Sequence, residues 1–159
     1  MTFARGLLTL VIALSLAAPA IALEAAKQIE VKVTPAVTWA AIGDFCGIGN
    51  WHPAVAKCAL SEKDGAKIRT LSLNGGGTII EKLTAVDDGK MSYSYEILES
   101  PLPVANYASS LHVEEAAGGA LIVWTGSFDA KDAPDAKAIE VIEGIYQGGL
   151  TSLATKVKG

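Results

Sequence analysis

Two apolar runs flanking a glycine-rich turn, Lys67 to Leu83, constrain this chain more tightly than any other stretch. Successive residues of a strand point to opposite faces of the sheet. In Lys67-Ile68-Arg69-Thr70-Leu71-Ser72-Leu73 the odd positions carry Leu71 and Leu73, and Arg69 shares their face. In Thr78-Ile79-Ile80-Glu81-Lys82-Leu83 the odd positions carry Ile79 and Leu83, with Glu81 between them. A slip of one residue would turn one apolar face outward. The register that sets Leu71 against Ile79 also sets Arg69 against Glu81. It leaves Asn74-Gly75-Gly76 as a three-residue loop, a type that needs a positive φ, which glycine adopts at little cost. An opposed pair of charges is thereby predicted on an apolar face. Two readings of it stand open. One is a structural salt bridge, or a register that leaves both groups at a wet sheet edge. The other is a polar anchor or acid–base group in a ligand cavity. Desolvation costs several kcal/mol per ion, which favours a solvated cavity over a dry core as the home of such a pair.

The N-terminus reads as an export signal. Arg5 supplies a positive region, Leu7 to Leu16 is mostly apolar, and Ala18-Pro19-Ala20-Ile21-Ala22 offers small residues at cleavage spacing, so residues 1–22 are expected to be removed by a cut after Ala22, with Ala20 as the alternative point. An uncleaved anchor is the rival, but Leu7 to Leu23 is short for a span, contains Pro19 and has no cationic stop after it. The expected location is therefore outside the cytoplasmic membrane, in the periplasm, with residues 23–159 forming a single domain and no stable membrane insertion. The chain carries 13 basic and 17 acidic residues, a formal net charge of −4, and losing Arg5 makes it more negative still. No basic stripe interrupts that balance, so nucleic acid is not an expected partner. Cys46 and Cys58 are the only cysteines. Export would permit a disulfide; two buried free thiols, behaving as small apolar groups, are the favoured reading.

Taken in order, Gln28 to Val33 alternates as a half-buried strand. Thr34 caps a helix with Pro35 at its first position, packing through Val37, Trp39, Ala40, Ala41 and Ile42. A second short helix ends before Pro53. Ala56, Cys58 and Leu60 are expected to form the inward face of the next strand, followed by the Arg69/Glu81 hairpin. Met91 to Glu99 places Met91, Tyr93, Tyr95 and Ile97 on one face, and Tyr107, Ser109, Leu111 and Val113 share a face of the strand after it. Leu121 to Phe128 is the last strand, with Trp124 and Phe128 as its large side chains. Ala138 to Val157 is helical, with Ile142, Ile145, Leu153 and Val157 at the centre of a wide apolar stripe that Ile139, Tyr146 and Leu150 join; Gly148 and Gly149 interrupt it. The fold class is α+β: a seven-stranded curled antiparallel sheet around a long C-terminal helix, with two short helices after the first strand. Meander parity puts the loops at 74–77, 100–106 and 130–134 at one end, the expected mouth of a cavity between sheet and helix.

The residues Trp39-Ala40-Ala41-Ile42-Gly43-Asp44-Phe45, Trp51-His52-Pro53, Cys58, Arg69, Glu81-Lys82-Leu83 and Met91-Ser92-Tyr93-Ser94-Tyr95, in that order and spacing, carry a resemblance. The mature chain resembles the polyketide cyclase/dehydrase branch of the START/birch-pollen-allergen superfamily (SRPBCC, helix-grip fold), which includes the lachrymatory factor synthases. Exported bacterial members of it include accessory proteins of methanol-dehydrogenase gene clusters. The resemblance implies a cavity occupied by a small, largely apolar ligand. It also implies that Arg69, Glu81 and Tyr107 are the polar residues in which catalysis would reside.

Within such a cavity Glu81 would act as a general base, Arg69 would hold an oxyanion with its forked donors, and Tyr107 would donate a hydrogen bond or a proton. Tyr93 and Tyr95 are candidate wall residues. So are Leu71, Ile79, Leu83, Leu111 and Trp124 from the sheet, and Ile142 and Ile145 from the helix. For each of them ordinary core packing is the alternative. Trp39 and Trp51 are expected to hold the short helices on the sheet. His52 is expected at the surface or in a cap, and His112 to be exposed. Two isolated histidines and two distant cysteines lack ligand spacing, so neither metal nor cofactor is expected. Three function classes follow: a binder of a small hydrophobic ligand, a cofactor-free lyase, isomerase or cyclase using Glu81, Arg69 and Tyr107, and an accessory protein docking on a periplasmic oxidoreductase.

Overall fold

A computed structural model of the chain describes residues 21–158, so the expected leader falls almost wholly outside the described residues. The element order is β1 (Leu23–Val31), α1 (Pro35–Ile42), α2 (Ile48–Trp51), β2 (Val55–Lys63), β3 (Ala66–Leu73), β4 (Thr78–Asp87), β5 (Ser92–Glu99), β6 (Val104–Ala116), β7 (Gly119–Ala130) and α3 (Asp135–Lys158). The seven strands form one antiparallel sheet in the order β1-β7-β6-β5-β4-β3-β2. It is the curled sheet and long helix of a helix-grip fold. Because β1 returns to pair with β7, the meander from β2 to β7 is closed off on one side by the N-terminal strand.

The hairpin adopts the register read from its alternation. Arg69 pairs with Glu81 and Leu71 with Ile79. Leu73 and Gly77 close the three-residue loop, with Gly76 at φ +86° and Gly77 at φ +91°. At α1, the Thr34 side chain accepts from the Val37 N–H and Pro35 occupies the first turn, as the capping residues dictate. Its inward residues are Thr38 and Ile42, however, while Val37, Ala40 and Ala41 face solvent, and Trp39 is half-buried against Tyr93. On β2 the expected inward face keeps its parity but is only partly covered: Cys58 stands opposite Leu71 and Leu60 opposite Arg69, yet on this edge strand Cys58 is half-buried and Leu60 exposed. The register shift between Val55 and Lys57 buries Val55 and leaves Ala56 exposed.

Helix α3 buries Ala138, Ile142, Tyr146, Leu150, Leu153 and Ala154, a stripe built on i, i+4 steps. Gly148 and Gly149 do not interrupt it; the helix is continuous for 24 residues. Gly149 instead permits close approach. A Cβ there would stand 2.6 Å from His52 Cδ2 and 2.9 Å from Trp124 Cζ3, so α2 and β7 press directly on the helix backbone. Cys46 and Cys58 form a disulfide with a Cα–Cα distance of 5.6 Å, which overturns the free-thiol expectation. Cys46 lies in the turn before α2 rather than in a helix, and that turn runs beside β2. Among the described residues no helix is long and apolar enough to cross a membrane.

Candidate functional site

Inward-facing residues of β3, β4, β5 and β7 meet α3 and the end of α2 around a cavity of about 300 Å³. That lies at the lower end of the range for small-molecule sites. Glu81 is its only carboxylate. Leu71, Ile79, Tyr95, Tyr107, Trp124 and Ile145 of the sequence candidates are on its wall. Leu73 and Leu102 bring the 74–77 and 100–103 loops to one end of it, which is where parity placed the mouth.

Five candidates lie elsewhere. Tyr93 packs on Phe45 and Trp39 and faces a smaller hollow near α1 that Leu83 also borders. Tyr95 and Ser94 pair with Leu83 and Ala85, and the skipped residue is a bulge that takes β4 away from the cavity beyond Leu83. Leu111 is fully buried behind the wall, and Ile142 is core; Val141 occupies the helix position that faces the cavity. Arg69 is itself fully buried and stands behind Glu81 rather than on the wall.

Arg69 Nε donates to Glu81 Oε2 at 2.5 Å and Nη1 donates to the Phe45 carbonyl at 2.6 Å. The guanidinium lies 4.1 Å from the Phe45 ring centre and 4.8 Å from that of Tyr95, so it is sandwiched by aromatic faces. Burial, the largest influence, would lower its pKa; the Glu81 carboxylate, joined by Tyr93 and Tyr95, outweighs that and holds it above the usual arginine range. Burial pushes the Glu81 carboxyl up, with Arg69 offsetting part of the rise. Nη2 has no hydrogen-bond partner. The second Glu81 oxygen, Oε1, accepts no hydrogen bond from the described residues.

A second polar cluster faces the same space and was not legible from the sequence. Tyr146, read there only as part of the apolar stripe, stacks on Trp124 at 4.6 Å, and its hydroxyl meets those of Tyr107 at 2.5 Å and Ser109 at 3.1 Å. Trp124 Nε1–H is shared between the Tyr95 hydroxyl at 3.0 Å and Ser109 Oγ at 3.1 Å. Burial pushes the Tyr95 and Tyr107 phenols well above their ordinary value and Tyr146 up to about 12, so all three are neutral donors or acceptors. Gly126, inside β7, makes room for this cluster: a Cβ there would be 2.1 Å from the Tyr146 hydroxyl oxygen. An unexplained glycine within a strand is the signal that could have pointed to it.

His52 is buried, against expectation. With a backbone carbonyl opposite Nε2, that nitrogen donates to Ile145 O at 3.0 Å, while Nδ1 accepts from the Ala54 N–H at 3.1 Å. Both ring nitrogens are satisfied by a neutral imidazole, and burial lowers its pKa. His112 is half-buried on the outer face. Among the described residues no group of His, Cys, Asp and Glu could hold a metal ion. A larger hollow of about 720 Å³ lies outside, where β5 and β6 part beyond Glu96 and Ala108; it is open and polar-sided, and it shares only Ile97 and Tyr107 with the cavity. The mostly apolar cavity, with Glu81 on its wall and Arg69 behind it, is the candidate site.

The family described as polyketide cyclase/dehydrase and lipid transport matches residues 22–158. Among solved structures, XoxI from Bacillus cereus is 31% identical, with a TM-score of 0.80 over 85% of this chain and 95% of that one. An uncharacterised protein from Bacillus thuringiensis is 29% identical, with a TM-score of 0.79 over 86% and 100%. The Zhui aromatase/cyclase from Streptomyces sp. R1128, at 15% identity and a TM-score of 0.69 over 86% and 94%, shares the fold. No curated protein matches the chain. With the family matched across the whole described domain, the chain belongs to the polyketide cyclase/dehydrase and lipid transport family of the SRPBCC superfamily.

Proposed function

We propose that the protein is exported and binds a small, largely apolar molecule in the cavity between the sheet and α3. The observation that carries this reading is a mostly apolar hollow of about 300 Å³ with Glu81, one oxygen of which has no hydrogen-bond partner among the described residues, as its single carboxylate. A protein that needed only a core would fill that volume, because unfilled core space is costly and an ion pair gains little there. The Cys46–Cys58 disulfide suits an oxidising compartment and supports the export reading.

The open Glu81 oxygen favours one second reading, cofactor-free lyase, isomerase or cyclase chemistry with Glu81 as the base and Arg69 holding its charge and position. Docking on a periplasmic oxidoreductase has the family resemblance alone behind it. Native mass spectrometry of the exported protein, followed by thermal melts with saturating naphthalene, tests the first reading. A bound mass, or a stabilisation of about 2.7 kcal/mol at a hundredfold excess over Kd, is expected. Absence of both, together with an Ile79→Trp variant that melts higher than the wild type and no longer responds, would show the hollow to be a mere packing defect.

A further inference from the structure

Counting hydroxyl hydrogens around the cavity shows that its tyrosines are not equivalent. Each serine or tyrosine hydroxyl has one hydrogen to donate, and a carbonyl can only accept. Ser109 Oγ donates to the Thr125 carbonyl at 2.6 Å, so its hydrogen is spent. Between Ser109 and Tyr146, at 3.1 Å, the donor is therefore Tyr146. With the Tyr146 hydrogen committed there, the 2.5 Å contact between Tyr107 and Tyr146 is donated by Tyr107. The run Tyr107 to Tyr146 to Ser109 to Thr125 O thus carries every hydrogen away from the cavity. Tyr95 differs. Its oxygen accepts from Trp124 Nε1–H, and its own hydrogen has no acceptor among the described residues.

The free acceptor lies next to this free donor. Glu81 pairs with Ile97 and Leu83 with Tyr95, which makes Glu81 and Tyr95 diagonal neighbours on one face of β4 and β5. Diagonal neighbours stand about 7–8 Å apart at the backbone, within reach of long side chains. Both line the cavity, and Arg69, bonded to Glu81 Oε2, leaves Oε1 to point elsewhere. A group lodged between them must accept one hydrogen bond and donate another. A hydroxyl oxygen does both, and the other polar groups on the wall, those of His52, Tyr107, Trp124 and Tyr146, are already bonded within the protein.

We propose that the cavity recognises an apolar alcohol or phenol, whose hydroxyl accepts from Tyr95 and donates to Glu81 Oε1, and that Tyr95 rather than Tyr107 is the hydroxyl donor of the site. This rests on the ligand-cavity reading and assigns its polar contact. The test compares 2-naphthol with 2-methylnaphthalene by titration calorimetry at neutral pH. Two hydrogen bonds, one of them to a charged group, predict a preference for 2-naphthol of about tenfold or more in the wild type. Tyr95→Phe should cut that ratio by about three- to tenfold; it leaves Trp124 Nε1–H bonded to Ser109, so no buried donor is orphaned. Tyr107→Phe should keep the ratio within about twofold. In the unaltered protein, 2-methoxynaphthalene against 2-ethylnaphthalene reads the Tyr95 donor alone and should favour the ether, which covers the case of a variant that does not fold. Equal binding of 2-naphthol and 2-methylnaphthalene would overturn the hydroxyl assignment and leave the ligand-cavity reading standing. A preference lost in Tyr107→Phe and kept in Tyr95→Phe, or no preference for the ether, would overturn the donor assignment. Failure of every probe to bind would remove the cavity reading and this one with it.

Discussion

Replacing Gly126 by alanine tests how rigidly α3 is fixed against β7. In a strand interior alanine is ordinarily the better residue, by about 0.5–1 kcal/mol. The geometry reverses that sign. The new Cβ would stand 2.1 Å from the Tyr146 hydroxyl oxygen and 3.3 Å from Cζ. Tyr146 has nowhere to retreat, because its ring stacks on Trp124 at 4.6 Å and its hydroxyl joins Tyr107 and Ser109. Overpacking of this kind costs about 1–3 kcal/mol. Losing a Tyr146 hydrogen bond while burying its partner adds about 1–2 kcal/mol. The net expectation is a loss of about 2–4 kcal/mol, which for a domain of this size lowers Tm by roughly 10 °C. Urea denaturation followed by tryptophan fluorescence measures it. A double-mutant cycle with Tyr146→Phe separates the clash from other effects, since deleting the hydroxyl removes the shortest contact. The two changes together should cost less than their separate costs combined by about 1–3 kcal/mol. A Gly126→Ala variant within 0.5 kcal/mol of the wild type (roughly the scatter of neutral surface changes), or a strictly additive cycle, would refute the close packing of helix on strand described above.

Reducing the Cys46–Cys58 disulfide, which closes a separation of 12 residues, should cost about 3 kcal/mol; melts with and without dithiothreitol measure it. Glu81 has a raised pKa in the folded state, so between the ordinary glutamate value and the raised one the native protein binds more protons than the unfolded chain, and stability falls as pH rises through that window. Glu81→Gln should abolish that fall in a series of urea melts, while costing about 3–5 kcal/mol in itself because Arg69 is left buried without its partner. His52 has a lowered pKa, so the unfolded chain binds the extra proton; its contribution is present above about pH 6.5 and is lost as pH drops below that. A variant lacking the imidazole, His52→Asn, should show a flatter stability curve on the acid side than the wild type.

The Arg69/Glu81 pair was legible because strand alternation has a period of two and the glycine loop admits one register; nothing distant was needed. The same period placed Cys58, Leu60 and Leu83 on the right face but could not show what covers them: β2 is an edge strand, Leu83 borders the smaller hollow near α1, and only Ala56, at the Val55/Lys57 shift, has its parity changed, without a marked sequence signal. Val141, which the sequence reading left without a role, faces the cavity in place of Ile142 because a wide apolar stripe fixes a helix face only to within a residue or so. The Cys46–Cys58 bond depends on the turn before α2 running beside β2, which spacing alone does not determine. His52 was beyond reach for a similar reason: its partner, the Ile145 carbonyl, is 93 residues away and becomes accessible only where Gly149 lacks a side chain. The hydroxyl cluster is a property of three strands and a helix together, so individual residues such as Ser109 and Tyr146 were placed on the right faces without their mutual bonds being visible.

Ile97 and Tyr107 border both the inner cavity and the outer hollow between the parted ends of β5 and β6. The β5–β6 pairing ends at Glu96 and Ala108, so both side chains stand where the two strands have parted. Trimming either residue would thin the partition between the two hollows without touching Glu81. The bulk at these two positions is thus a control on the reach of the inner cavity toward the outer face that is separate from its polar groups.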